Sequence, residues 1–361
     1  MQLWDLVLHK IKINTHWEDY YRFEFYRNDK SWQEKSLYIG ELGSRYWPWE
    51  GNSRKFDSLF VRKSLQKSVA IAHDLPTPRL LMKVGKYYPI NSKRAFVDEL
   101  QKLSGSFILK VDGGMQGSAI HLFEKVGGAL RHDGRHVSVD ELWDRFEKNL
   151  DPGYIIEERV PNHPDIEKIY PDALNTLRLV TIRTRDGKVH LMHPFIKFGR
   201  GGSHVDNLKA GGLFALIGDD GRLGQLVEES GKRYDRHPDT DEAITGTKIP
   251  YFEEACELAL KASGVFGFMA TIGWDIGITP DGPVIIEGNT RWACDAYQDQ
   301  FGAYLNEEVA AGLIPRQWWT PWDKTHIYPN HIYRMNGGWW QQRLAKRRSR
   351  WNAGKLVTEG P

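Results

Sequence analysis

The chain has 361 residues, 40% of them apolar and 27% charged, which is the composition of a globular protein with room for two or three domains of about 100–200 residues. Lysine and arginine total 49 against 47 aspartates and glutamates, so the net charge of +2 argues against a protein that coats nucleic acid. Two cysteines exclude a disulfide framework and a cysteine zinc pattern, and no apolar run approaches the ~20 residues that span a bilayer. The opening residues make a poor signal peptide, so we expect a soluble, cytoplasmic protein.

The first stretch, up to about residue 55, is rich in aromatic and charged side chains and has no nucleotide-type glycine loop. This composition favours a helical cap packed through its aromatic rings, and an aromatic binding surface is the alternative. Residues 57–73 then carry apolar side chains at helical spacing. The predicted helix ends at Leu75-Pro76-Thr77-Pro78, because proline cannot continue a helix.

The middle of the chain contains predicted helices and short strands that pair as hairpins. The predicted helices cover 95–103, 138–149 and 250–262. The predicted strands cover 107–110, 119–123, 154–159, 176–183, 188–198, 212–218, 223–228, 271–278 and 283–287. Turn residues join the last six of these strands into three hairpins, so the pattern predicts a mixed α+β fold and not a parallel doubly wound sheet.

The last residues differ in character from the rest. Tryptophans are frequent over 315–340, and a basic run of five lysines and arginines covers 343–350. A solvated terminal helix is the favoured interpretation, and contact with a phosphate backbone or an anionic surface is the alternative.

A glycine-rich segment lies between two of the predicted strands. Residues 110–118 read Lys-Val-Asp-Gly-Gly-Met-Gln-Gly-Ser. Glycines at 113, 114 and 117 allow backbone N–H groups to close around an anion, and Lys110 adds a positive charge suited to phosphate. The lysine precedes the glycines, so this is not a Walker loop, and a plain glycine hairpin turn is the alternative.

Three oxygen-bearing side chains, Asp275, Glu287 and Asn289, lie on the two strands of the last predicted hairpin. Glu287 and Asn289 are two residues apart and therefore share a face, which Asp275 can also reach across the hairpin. Buried carboxylates need a counter-charge, and hard oxygen ligands without histidine or cysteine suit Mg²⁺. A salt bridge to Arg291 is the alternative.

A second loop combines cations with glycines. Residues 206–212 read Asp-Asn-Leu-Lys-Ala-Gly-Gly, and Lys197, Arg200 and a glycine pair precede them. Packing explains such a loop poorly, whereas a cover over a polyanion explains it well. A long hairpin loop without a ligand is the alternative.

Taken in order, Lys63, Lys110 with its glycine loop, residues 154–160, the 206–212 loop and the Asp275…Asn289 hairpin resemble the ATP-grasp superfamily. The resemblance covers about residues 57–295 and is nearest to the branch called sugar-transfer-associated ATP-grasp. The resemblance to the ligases that add glutamate to ribosomal proteins is more distant. This ordered set is far more specific than any one of its motifs.

The resemblance implies an α+β ATP-grasp fold with a small antiparallel lid and a larger core sheet that carries the metal site. We expect an aromatic-rich, partly helical region over 1–78, the lid over 79–158, the core over 159–325, and a basic, tryptophan-rich tail over 326–361.

The resemblance also assigns residues to ATP. Lys63 and Lys110 would bind phosphate, Glu157 the adenine amino group, and Asn175 the ribose. The full predicted set is Lys63, Lys110, Gly113, Gly114, Gly117, Ser118, Glu157, Arg159, Val160, Asn175, Lys197 and Asn207.

Further residues are assigned to catalysis and metal. Arg178 and Arg200 would face the transferred phosphate or the substrate carboxylate, and Lys209 would lie over the triphosphate. Two Mg²⁺ ions, with Mn²⁺ as the alternative ion, would be held by Asp275, Glu287 and Asn289.

The sequence also departs from its relatives. Many relatives follow the metal-binding asparagine with a small residue, proline and glycine, whereas here Thr290, Arg291 and Trp292 follow. The D-alanine ligases place an arginine where this chain has Gly273, and Arg291 is the candidate replacement as oxyanion donor. The N-terminal α/β domain is short, so the sequence does not define the acceptor site.

The activity implied by the resemblance is ATP-dependent ligation of a carboxylate to an amine through an acyl-phosphate, with release of ADP and phosphate. The partners would be a small-molecule or peptide carboxylate and an amino acid, peptide or amino sugar, without nucleic acid or a membrane span. A homo-oligomer is left open. One alternative is a kinase that phosphorylates a small molecule or sugar, and another is a non-catalytic binder of nucleic acid or anionic polymer.

Overall fold

A computed structural model describes residues 2–313 with gaps at 28, 41–43, 47, 114–119, 133, 149 and 291. The predictions made for Gly114, Gly117, Ser118, Arg291 and the residues after 313 lie outside the described residues, and so does the side chain of Lys209. Among the described residues no helix is long and apolar enough to cross a membrane.

The described elements alternate between short helices and strands. The helices are α1 (Gln2–Ile13), α2 (Trp17–Arg22), α3 (Trp32–Lys35), α4 (Asp57–Val61), α5 (Lys63–Ala72), α6 (Lys93–Gln101), α7 (Val139–Glu147), α8 (Pro164–Glu167), α9 (Phe252–Val265), α10 (Asp295–Phe301) and α11 (Glu307–Gly312). The strands are β1 (Leu80–Val84), β2 (Gly105–Val111), β3 (Ile120–Val126), β4 (Ala129–His132), β5 (Arg135–His136), β6 (Tyr154–Glu158), β7 (Thr176–Arg183), β8 (Val189–Phe198), β9 (Leu213–Ile217), β10 (Leu223–Val227), β11 (Arg233–Tyr234), β12 (Thr271–Thr279) and β13 (Gly282–Asn289).

The strands form two antiparallel sheets. The first has the order β1-β6-β2-β3-β4-β5, and the second has the order β11-β10-β9-β8-β7-β12-β13. The predicted hairpins pair as expected, β7 with β8, β9 with β10 and β12 with β13. The prediction of a mixed α+β fold with antiparallel hairpins is confirmed.

The single helix predicted over 57–73 is wrong, because the chain breaks into α4 and α5 at Arg62. Arg62 is extended and offers α5 no side-chain cap. Asp112, at the end of β2, supplies one instead: its carboxylate accepts a hydrogen bond from the Ser64 N–H at 2.7 Å, and its carbonyl accepts one from the Lys63 N–H at 3.0 Å. An N-terminal cap that comes from a distant strand satisfies the orphan N–H groups of a helix as a local one would.

The core of the second sheet lies around β12, which is buried along nearly its whole length. Trp274 is among the largest fully buried side chains, and its indole N–H donates to the Thr181 hydroxyl at 3.1 Å. Helix α9 covers one face with Phe252, Ala255 and Ala259, which belong to the same hydrophobic cluster as Trp274. Asp275 is therefore the one carboxylate in a strand of otherwise apolar or small residues.

The first 55 residues pack through aromatic rings, in line with a helical cap. Tyr20, Phe23, Phe25 and Tyr38 form one buried cluster with Ile13. Polar contacts join this region to α10. Its Asp299 accepts hydrogen bonds of 2.9 and 2.6 Å from Arg22, and its Gln298 side chain bonds the backbone N–H and C=O of Ile39.

We predict that stability falls as the pH drops through about 6.5, the ordinary pKa of histidine. Burial lowers the pKa of His9, His193 and His237, although backbone hydrogen bonds oppose the shift. The unfolded chain therefore binds these protons more readily than the folded chain, and each histidine can remove up to about 1.4 kcal/mol of unfolding free energy per pH unit.

Urea denaturation at about pH 7.5 and about pH 5.5 measures this effect. His237→Asn should flatten the pH dependence, and His136→Gln, at an exposed position, should leave it unchanged. Equal pH dependence in the wild type and in His237→Asn would contradict the assignment.

Candidate functional site

A cavity of about 1300 Å³ lies between the two sheets. One wall comes from β2, β3 and β6 and the other from β7, β8, β12, β13 and the loop that precedes β9. The sequence-predicted residues that line it are Lys110, Glu157, Arg159, Val160, Arg178, Lys197, Asn207, Asp275, Glu287 and Asn289. The fold thus brings together residues that are up to 179 positions apart in the sequence (289 − 110).

The oxygen-bearing side chains of the last hairpin meet on one wall. Asp275 and Glu287 are directly paired in the β12–β13 register, and Asn289 pairs with Gly273. The Asn289 amide donates to Asp275 Oδ2 at 3.1 Å. Lys63 Nζ, from the first turn of α5, lies 3.3 Å from Glu287 Oε2. The predicted grouping of these oxygens is therefore present, with a lysine beside it.

Two further cations neutralise Asp275. Arg178 is its register partner on β7 and donates to both carboxylate oxygens, at 2.9 and 3.2 Å. Lys197 Nζ lies 3.1 Å from Asp275 Oδ1 and 3.6 Å from Asp206 Oδ1. Burial raises the pKa of Asp275, but Arg178 and Lys197 outweigh it and hold that pKa below its ordinary value.

Asp206, which sequence reasoning did not single out, shares Lys197 with Asp275. Its Oδ2 accepts hydrogen bonds from the Thr176 N–H at 2.9 Å and hydroxyl at 2.6 Å. Burial raises the pKa of this carboxyl above its ordinary value, although Lys197 and Thr176 oppose the shift. The loop 206–212 is thus tied at its first residue to the strand that carries Arg178.

The donor set fits Mg²⁺ bound together with a phosphate. Carboxylate oxygens of Asp275 and Glu287 and the amide oxygen of Asn289 are hard ligands on one wall of the cavity. In the part of the chain that the structure describes, no group of three or more histidine, cysteine, aspartate or glutamate side chains could hold a metal alone. Mg²⁺ ordinarily keeps waters and substrate phosphates among its ligands. A protein site for Mg²⁺ therefore supplies only some of the ligands.

The opposite wall contains a buried carboxylate between two lysines. Glu157 Oε2 accepts a hydrogen bond from Lys110 at 2.9 Å, and Glu157 Oε1 lies 3.1 Å from Lys67 Nζ. Burial raises the pKa of Glu157, but the two ammonium groups together bring it below its ordinary value. Lys67 also donates to the Thr77 hydroxyl and the Pro78 carbonyl, both at 2.8 Å. It therefore ties α5, the 75–78 segment and β6 together.

Sequence reasoning missed Lys67 although a signal was present. Lys67 follows Lys63 by four residues, so both side chains leave the same face of α5. It also missed Asp112, which receives hydrogen bonds from the Ser64 hydroxyl and the Tyr88 hydroxyl besides the helix N–H groups. Asp112 fixes the end of β2, at the start of the glycine-rich segment. The next residue, Gly113, has no room for a side chain, since a Cβ there would lie 2.8 Å from Pro152 Cγ.

Among the described predicted residues that do not line the cavity, Asn175 and Arg200 have their polar groups bonded elsewhere. Asn175 is fully buried; its amide donates to the Tyr170 carbonyl at 2.7 Å, and its oxygen accepts from the Gly199 N–H at 3.2 Å. Arg200 is paired with Glu228 at 2.8 Å. These contacts disfavour ribose for Asn175 and the transferred phosphate for Arg200, and both assignments stay predictions without geometric support.

Gly273 leaves space that two other residues fill. A Cβ at this position would lie 2.6 Å from Trp292 Cβ and 3.1 Å from Arg178 Nη1. The guanidinium beside the β12–β13 hairpin therefore comes from β7 and not from β12. Arg291, the candidate oxyanion donor, lies outside the described residues, and its assignment stays a prediction.

Comparison with known sequences identifies the family. The profile of the family described as sugar-transfer associated ATP-grasp matches residues 44–310. The chain belongs to this family, and its two-sheet α+β architecture is an ATP-grasp fold, as the sequence resemblance predicted. A search of curated proteins gives no significant match.

Several solved structures are similar at low identity. N5-carboxyaminoimidazole synthetase from Staphylococcus aureus, complexed with ADP, is 12% identical over 72% of this chain and 53% of its own, with a TM-score of 0.42. D-alanine–D-alanine ligase from Bacillus anthracis is 13% identical over 70% and 67%, with a TM-score of 0.39. L-amino acid ligase from Bacillus licheniformis is 13% identical over 72% and 49%, with a TM-score of 0.38. The chain thus spans about half the length of the first and third of these proteins.

We predict that Glu157→Gln lowers the unfolding free energy by about 3–5 kcal/mol, because it leaves two buried ammonium groups without a counter-charge. Lys67→Met should cost less, because the Lys110–Glu157 pair remains. Urea denaturation measures both. The control is Glu99→Gln, which removes an exposed partner of Lys102 and should cost at most about 1 kcal/mol. A loss no larger than that of the control would contradict the assignment of Glu157.

Proposed function

We propose that this protein is an ATP-dependent carboxylate–amine ligase that forms an amide or peptide bond and releases ADP and phosphate. The observation that carries the proposal is the group of Asp275, Glu287 and Asn289 on one cavity wall. Arg178 and Lys197 contact Asp275, and Lys63 contacts Glu287. Membership of the ATP-grasp family supports the same conclusion. The cavity, at about 1300 Å³, exceeds the ordinary 300–1000 Å³ of a one-ligand pocket and has room for a second substrate.

ATP would lie across the two walls. Glu157 and the backbone of Arg159 and Val160 would bind adenine, and Lys110 and Lys63 would bind phosphate oxygens as point charges. Asp275, Glu287 and Asn289 would hold Mg²⁺, which would neutralise the negative charge that develops on the phosphates. Asn207, on the loop that lines the cavity, would contact the triphosphate from above.

The reaction would proceed in two displacements. A substrate carboxylate oxygen attacks the terminal phosphorus of ATP, and ADP leaves with the electrons of the broken P–O bond. The amine nitrogen then attacks the acyl carbon, loses a proton and expels inorganic phosphate. No protein nucleophile is required in either step.

The protein would contribute charge and position. Arg178 and Lys197 contact Asp275 in the structure, and in the proposed reaction they would stabilise the phosphate and the acyl oxygen as negative charge develops there. Holding the acyl-phosphate against the amine would lower the barrier by up to about 7–11 kcal/mol. Exclusion of water by the walls of the cavity would protect that intermediate from hydrolysis.

The defining experiment measures ATP turnover with Mg²⁺ across pooled amino acids, amino sugars and small peptides, with ADP and product mass read together. ADP with a condensed product supports the ligase. ADP with a phosphorylated product would replace it with a kinase, the alternative function. Salt-sensitive binding of anionic polymer that survives Lys110→Met, without turnover, would indicate the non-catalytic binder.

We predict that Glu287→Gln and Asp275→Asn each lower the turnover rate by at least about 100-fold, because each removes a charged ligand from the metal site. Glu287→Gln is the cleaner variant, since Asp275→Asn also removes the carboxylate that Arg178 contacts and one of the two that Lys197 contacts. Asp281→Asn changes an exposed residue in the turn of the same hairpin and serves as the control. Full turnover in both site variants would contradict the metal assignment.

A further inference from the structure

Helix α1 presents an apolar stripe to solvent. Its five outward side chains are between 38% and 75% exposed, and they are Leu3, Trp4, Val7, Leu8 and Ile11. At 100° per residue they occupy one face of about 140°. The opposite face carries His9 and Ile13, which are buried against the rest of the protein. A contiguous exposed apolar face of this kind marks an interaction site far more often than a scattered exposed leucine does.

The charges of α1 are sorted around the stripe. Viewed down the helix axis, Lys10 lies next to Leu3 at one edge of the stripe, and Lys12 lies next to Leu8 at the other edge. Lys10 donates to Asn14 and Lys12 lies 4.3 Å from the centre of the Trp32 ring, so neither reaches into the stripe.

The one carboxylate of α1, Asp5, lies outside the apolar stripe, and its side chain is 38% exposed. Asp5 accepts a hydrogen bond of 2.5 Å from the Tyr20 hydroxyl, and it lies 3.5 Å from His9. The outward part of the helix is therefore apolar at its centre and positive at its edges, with no negative charge between them.

Neighbouring α2 adds aromatic side chains at the surface. Trp17 and Tyr21 are four residues apart, so they share one side of that helix, and they are about half exposed. Tryptophan and tyrosine favour the boundary between water and lipid, where the ring lies in an apolar layer and its polar atom stays hydrated.

We propose that α1 docks this protein on an anionic lipid bilayer. The stripe enters the boundary between headgroups and acyl chains, and Lys10 and Lys12 lie at the level of the lipid phosphates. An apolar face with tryptophan, bordered by lysines, is the composition of helices that lie in the plane of a membrane surface.

The shape of the surface favours a bilayer over a protein partner. The stripe is a convex ridge along about two turns of a helix, and a protein partner would need a groove that matches it. A bilayer is deformable and accepts a ridge without such a match. The two lysines at its edges favour a negative surface, which anionic headgroups supply along the whole length of the helix.

The test uses the full chain, including the basic run over 343–350, with vesicles of phosphatidylcholine alone or with about 30% phosphatidylglycerol. We expect the protein to float with the anionic vesicles and to dissociate as the salt concentration rises. Leu8→Glu and Leu3→Glu should each weaken binding about tenfold or more, since each puts a carboxylate into the apolar layer.

The matched control is Leu260→Glu, at a 39% exposed leucine on α9, which should bind vesicles as the wild type does. All three variants should keep wild-type ATP turnover, because none of these leucines lines the cavity. Failure of the full chain to bind anionic vesicles would overturn the proposal, and so would equal binding to neutral vesicles or undiminished binding by Leu8→Glu. A smaller sedimenting species for Leu8→Glu than for wild type would instead assign the stripe to a second copy of the chain.

Discussion

The structure depends on charge neutralisation inside an apolar frame. Asp275 and Glu157 lie on opposite walls of one cavity, and each contacts two cations. Glu157 is buried, and the side chain of Asp275 is only 14% exposed. Taking such carboxylates out of water is costly, and only close, well-oriented cations offset the cost. The cations come from α5, β2, β7 and β8, so these elements must be correctly placed before either carboxylate is tolerated.

The same charges connect the two sheets. Lys63 and Lys67, on one helix, reach carboxylates on opposite walls, Glu287 on β13 and Glu157 on β6. Helix α5 thus bridges the first sheet and the second through two lysines. Each of them takes part in the proposed reaction or supports a residue that does. In the proposed complex, Lys63 would exchange its contact with Glu287 for a contact with a phosphate oxygen. ATP binding is therefore sensitive to the position of α5.

Sequence reasoning reached much of this arrangement because the relevant signals are local. Hairpins with Asp-Gly turns, a strand that carries Glu287 and Asn289 two residues apart, and a lysine before glycines are each visible within about ten residues. The break at Arg62, the cap from Asp112 and the contact of Lys67 with Glu157 depend on residues that are 48 to 90 positions apart. No periodicity encodes such contacts, because only the assembled sheets create them.

The cap that Asp112 provides has a consequence for order and motion. Because the N-terminus of α5 is capped by Asp112, the residue that follows β2, the first turn of the helix and the end of that strand form one cooperative unit. Displacement of the strand end would uncap the helix and expose its N–H groups, and a ligand that holds the strand end in place would protect them from exchange with solvent. The helical order of α5 therefore reports whether the chain at the start of the glycine-rich segment is held in place.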